Sequence, residues 1–124
     1  MARSVTKTRD PQTLLPLPVA SFHILLALVD GERHGYAIMK HVNERAAGEV
    51  RLGPGTLYAA LQRLLDAQLV EEAGEHVDPA MTDARRRYYR ITRFGVSVLR
   101  AEARRMELNV RAARRAKLLG PEPA

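Results

Sequence analysis

Between Gly53 and Thr92 the hydrophobic spacing of the chain switches from a helical period to a strand period, and this switch limits the folds open to it. Leu57, Leu61, Leu64 and Leu65 stand at i, i+4, i+7 and i+8, the spacing of one apolar stripe on an α-helix. Pro54 suits the first helical position, where a missing N–H costs nothing, so the spacing predicts a helix from Pro54 to about Ala67. From Arg86 to Thr92 the pattern alternates, with Arg87, Tyr89 and Ile91 on one face and Arg86, Tyr88 and Arg90 on the other. Leu69 to Ala73 is its partner strand in a hairpin, and Gly74 to Ala84, with Pro79, is the polar loop between them.

A leucine-faced helix beside a hairpin needs further helices to cover it, and two lie upstream. Val19 to Asp30, opened by Pro18 and ended by Gly31, carries Phe22, Ile24, Leu25, Leu26, Leu28 and Val29 around nearly its whole circumference, which places it mid-core. Glu32 to Gly35 reads as a turn. Tyr36 to Ala46 follows as a second helix with Ile38, Met39, Val42 and Ala46 inward, and Val50 to Leu52 leads on in extended form. Downstream, Arg93 to Leu119 is helical until Gly120 and Pro121 and would be roughly 40 Å long, more than such a body can cover. The predicted fold is mainly α (α+β): a winged helix-turn-helix with a two-stranded β wing and a long C-terminal dimerisation helix. The divisions are a flexible basic tail over 1–17, the winged-helix domain over 18–92, the dimerisation helix over 93–120 and a tail over 121–124. The first tail holds Arg3, Lys7 and Arg9, and a basic arm in a DNA minor groove is its minority reading.

Charge narrows the partners. The net charge is +6, and 12 of the 20 Lys and Arg fall between Arg85 and Lys117, which favours nucleic acid first and an anionic membrane next. The chain has no cysteine, so disulfides and thiol chemistry are excluded. The longest apolar run, Ile24 to Val29, is too short to span a bilayer, and a cytoplasmic protein is expected. Gly53-Pro54-Gly55 lacks the lysine and spacing of a phosphate loop, and His23, His34, His41 and His76 are not spaced as metal ligands. No enzyme, metal or cofactor is expected.

Steps of about 100° place Gly55, Thr56, Ala59, Gln62, Arg63 and Asp66 opposite the leucines, with Tyr58 on the boundary. Gln and Arg are suited to base edges, Thr and Tyr to phosphates. The candidate DNA contacts are therefore Gly55, Thr56, Tyr58, Gln62 and Arg63, with Arg85, Arg86, Arg87 and Arg90 at the wing base neutralising phosphate. A solvated strand edge is the plainer reading of those arginines. Glu71, Glu72, Glu75, Asp78 and Asp83 lie near the wing tip, so a tip deep in a minor groove is not expected. On the last helix Val96, Leu99, Ala103, Met106, Val110 and Ala113 form a heptad seam for dimerisation, flanked by Arg100, Arg104, Arg105, Arg111, Arg114 and Arg115. Packing on its own domain alone, or a membrane-surface helix, are the alternatives.

Taken together, ILLALVDGERHGYAIMKHV (Ile24–Val42), RLGPGTLYAALQRLLDAQLVEE (Arg51–Glu72) and RRRYYRITRFGVSVL (Arg85–Leu99) resemble the PadR family of bacterial transcription regulators, in its short-tailed subgroup. The resemblance covers about 19–118. It implies a homodimer that represses promoters at a palindromic site, with Thr56 and Tyr58 on DNA, Leu57 in the core and Tyr36 packing near the DNA side. It also implies release of DNA by small aromatic compounds bound at the dimer interface. Two departures stand out. Gln68 occupies a position after the third helix where the family often has glycine, so a left-handed cap there would be strained and the turn into the wing is expected to differ. Ala59 replaces a common proline. A winged-helix protein-interaction adaptor without DNA binding is the alternative function.

Overall fold

The computed structural model describes residues 9–77 and 85–122, with backbone only at 76, 77 and 85. After a 3-10 turn at Pro11–Leu14 come α1 (Val19–Ala27), β1 (Arg33–His34), α2 (Gly35–Arg45), α3 (Pro54–Asp66), β2 (Val70–Val77), β3 (Arg85–Ile91) and α4 (Arg93–Arg115). The strands form one antiparallel sheet in the order β1-β3-β2. Ile24, Leu25 and Leu28 from α1, Ile38 and Val42 from α2, Leu57, Ala60, Leu61 and Leu64 from α3, and Val98 and Leu99 from α4 meet in one core. This is the winged helix that the two periods predict.

The departures from expectation each have a local cause. The segment Glu32–Gly35 is not a simple turn: Arg33 and His34 pair with Tyr89 and Tyr88, adding a third strand to the expected hairpin. The last turn of the first helix tightens, because Leu28 and Val29 bond three residues back instead of four, so α1 ends at Ala27 and not Asp30. The hairpin is longer than expected. β2 runs through the predicted loop to Val77, taking a bulge between Glu72 and Gly74 where Gly74 adopts φ 103°. The remainder of the loop, 78–84, lies outside the described residues. Helix α4 stops at Arg115, where Lys117 turns left-handed (φ 64°) and Leu118 N–H reaches back to Ala113 O at 2.9 Å.

Residues 9–17 correct the reading of a flexible tail; residues 1–8 lie outside the described residues. Leu14 and Leu15 pack against the core and Leu17 is buried in it, although two prolines deny the segment any regular period. Leu17 N–H donates to Glu102 Oε2 at 3.2 Å, and Arg105 donates to both oxygens of the same fully buried carboxylate at 2.6 and 3.0 Å. Arg105 is the main reason the Glu102 carboxyl is held below the usual range, against the opposing effect of burial. Arg9 stacks over Phe94 and donates to Ala67 O at the end of α3, closing the tail over the body.

The cap between α3 and β2 keeps the left-handed turn. Gln68 takes φ 62°, with Leu69 N–H bonded to Leu64 O at 2.9 Å and Gln68 N–H to Leu65 O at 3.0 Å. The expected change of turn does not occur; the non-glycine residue accepts the strained conformation. The Thr92 hydroxyl donates to Gln68 O at 2.7 Å and accepts from Gly95 N–H at 2.9 Å, fastening this cap to the start of α4. Gly95 is needed there, since a Cβ would collide with the Leu69 carbonyl.

Candidate nucleic-acid interface

Helix α3 divides along the predicted line. Leu57, Leu61 and Leu64 are buried, together with Ala60, and Leu65 is half-buried. Gly55, Thr56, Tyr58, Ala59, Gln62, Arg63 and Asp66 are all exposed. The structure thus gathers the five candidate contacts of α3 on one open face. Gln62 Nε2 donates to Asp66 Oδ1 at 2.9 Å, which holds the amide along the helix. Arg63 has no side-chain partner among the described residues.

Two motifs separated in sequence meet at the start of α2. The Tyr58 phenol lies directly on Gly35, where any Cβ would overlap it. His34 is buried as the N-cap of α2, its Nδ1 accepting from Ala37 N–H at 3.1 Å, with its ring stacked on Tyr36 and edge-on to Tyr88. Tyr36 is itself 51 % exposed, with its ring against His34 and the rest of its surface open. His34, Gly35, Tyr36 and Tyr58 make one wall of a cleft of about 280 Å³; Glu75, Arg86, Arg87 and Tyr89 of the wing make the other. Burial raises the Tyr89 hydroxyl above its ordinary range, with Tyr58 adding to the rise.

Beside it, a second cleft of about 290 Å³ is lined by Tyr36, Met39, Lys40, Asn43, Glu44 and Arg51. Here the sequence reading missed two candidates. Asn43 receives Leu52 N–H at 2.8 Å and donates to Leu52 O at 2.9 Å, pinning the linker against α2 and setting Arg51 beside Lys40. Both cations lack side-chain partners among the described residues. The inward positions Ile38, Val42 and Ala46 implied that Lys40 faces out; nothing in one dimension joins it to Arg51. The far end of the linker is held too: Arg45 donates to His23 Nδ1 at 3.0 Å, which leaves Nε2 to donate to Glu49 Oε1 at 2.7 Å.

The wing base is arranged otherwise. Arg90 Nε donates to Glu71 Oε2 at 2.7 Å and its Nη1 lies 3.9 Å from Glu32 Oε2, so β2 on one side and the residue preceding β1 on the other supply it with carboxylate. Glu71 raises the Arg90 pKa further. Arg87 Nε stands 3.5 Å from Glu72 Oε1. Glu71 and Glu72, which the sequence associates with the wing tip, pair with Arg90 and Tyr89 at its base. Arg86 is half-buried on the cleft wall, and Arg85 contributes only backbone to the description.

The heptad seam of α4 is divided. Leu99 is committed to the chain's own core, and Val96 is half-buried. Beyond Glu102 no residue of α4 is buried; Ala103 and Val110 are exposed, Met106 and Ala113 half-exposed, and Leu108 is exposed on the opposite face of the helix. Among the described residues no helix is long and apolar enough to cross a membrane.

Comparison with known proteins agrees with this architecture. The model of the Transcriptional regulator PadR-like family matches residues 24–101. An uncharacterized 37.1 kDa protein in transposon TN4556 of Streptomyces fradiae is 41 % identical over 100 residues, covering 81 % of this chain but only 24 % of that protein. The chain therefore spans about a quarter of that relative's length. A PadR family transcription regulator from Clostridium difficile superposes with a TM-score of 0.67 at 26 % identity, over 79 % of this chain and 97 % of that one. Bacillus subtilis PadR, solved in complex with operator DNA, shares the fold at 20 % identity and a TM-score of 0.57, over 88 % of this chain and 51 % of that one. The chain belongs to the PadR-like family of transcriptional regulators.

Proposed function

We propose that the chain is a sequence-specific DNA-binding regulator acting as a homodimer on a palindromic promoter site, and that it represses. The observation that carries the reading is the open face of α3, where Thr56, Tyr58, Gln62 and Arg63, the last without a partner among the described residues, project from a helix whose other face is locked in the core. Arg63 and Gln62 read base edges; Thr56 and Tyr58 hold phosphate, and Gly55 lets the backbone come close. Lys40 and Arg51, together with Arg85, Arg86, Arg87 and Arg90 of the wing, neutralise the flanking phosphates. Ala103, Met106, Val110 and Ala113 continue past the body and form the surface for a second subunit, which would set two α3 helices about 34 Å apart on successive major grooves.

Retardation and footprinting on the DNA upstream of the protein's own gene test the reading. A protected, two-fold symmetric site is expected. An absence of retardation at low salt would instead support a protein-interaction adaptor. Repression is tested by derepression of a promoter fusion when the gene is deleted. An effector at the dimer interface is the last part of the reading and rests on family likeness; loss of retardation on adding small aromatic compounds tests it.

A further inference from the structure

We infer that the wing carboxylates Glu71 and Glu72 set the strength of sequence-independent DNA binding, by holding Arg90 and Arg87 in ion pairs that phosphate must displace. The inference rests on the DNA-binding reading above. The wing carries the densest basic run in the chain, Arg85-Arg86-Arg87 and Arg90, yet two of its four arginines stand against carboxylates of the adjacent strand. The pairing is built into the sheet. Register sets Glu71 directly opposite Arg90, and β1 brings the preceding Glu32 to its other side. Glu75, opposite Arg87, lines the cleft that faces Tyr58.

Affinity for any duplex depends on how many cations can release counterions from phosphate. A cation already held by a carboxylate contributes less, since the exchange gives up one ion pair for another and leaves an anion facing the DNA. The pairs are exposed and individually weak, so they are exchangeable and not permanent. The consequence is a brake that acts equally on all sequences, leaving discrimination to α3.

The test compares the full chain with Glu71→Gln/Glu72→Gln on a random duplex and on the upstream DNA across a salt series. Glutamine keeps the shape and a hydrogen-bond acceptor, and matching thermal melts establish that the wing is intact. Both duplexes should bind about three- to tenfold more tightly, since each exposed pair is a small barrier. The slope of log affinity against log salt should steepen by about one to two. Glu107→Gln on α4, which frees Arg104 and Arg111 away from the wing, is the control and should leave both unchanged. Unaltered or weaker binding by the wing variant overturns the inference, and so does an equal gain from Glu107→Gln, which would mark a bulk charge effect. Failure of the unaltered protein to bind any duplex would instead overturn the DNA-binding reading itself.

Discussion

On the α2–α3 side, Lys40, Arg51 and Arg63 stand without anionic partners among the described residues; on the wing, Arg87 and Arg90 lie against Glu72 and Glu71. Counting basic residues ranks the wing first, because its run is denser. Geometry reverses the ranking. A sheet brings adjacent strands into register, so acidic residues on β2 neutralise arginines on β3 across the ladder. A helix with a buried leucine stripe leaves its polar face unopposed, and the charge there remains available to a ligand. Net charge indicates that an anionic partner is favoured, whereas pairing decides which cations meet it.

The largest expected effect strikes both regions at once. Glu102→Ala removes the carboxylate that joins the tail to α4 and leaves Leu17 N–H buried without an acceptor, costing about 2–4 kcal/mol of stability. Because Arg105 depresses the Glu102 pKa, this stabilisation is complete above the range where a free glutamate titrates and is lost as pH falls through the folded value. The stability gap between the parent and Glu102→Ala, followed by urea titration, should therefore narrow in acid. Next, Arg63→Ala should lower the preference for the specific site by about 1–3 kcal/mol while changing random-duplex binding little. Lys40→Ala/Arg51→Ala should weaken all duplexes alike and flatten the salt slope by about two. Arg90→Ala should do less than either, under about threefold, because the residue is already paired. Equal losses from Arg90→Ala and Lys40→Ala/Arg51→Ala would break the comparison.

Much of this was legible from spacing. The two periods located α3 and β3, and the leucine stripe assigned the faces of α3 side chain by side chain. What escaped depends on contacts distant in sequence. Arg33 and His34 are too few to alternate, and they become a strand only when β3 arrives beside them. Leu14, Leu15 and Leu17 follow no period because prolines interrupt them, yet their side chains still find the core. Gln68 shows a different limit: the departure from glycine is visible in the sequence, but the left-handed turn persists despite it, since the Thr92 and Leu69 bonds hold it against its strain. Gln68→Gly should accordingly stabilise the fold by about 1 kcal/mol in a thermal or urea melt.

The central claim is that α3 reads sequence. Its most direct test is the affinity of the chain and of Arg63→Ala for the upstream DNA and for a shuffled duplex of equal length, at one salt concentration. The unaltered chain should prefer the upstream DNA by about a thousandfold or more, and Arg63→Ala should lose roughly ten- to a hundredfold of that ratio. Equal affinity of both proteins for both duplexes would contradict it.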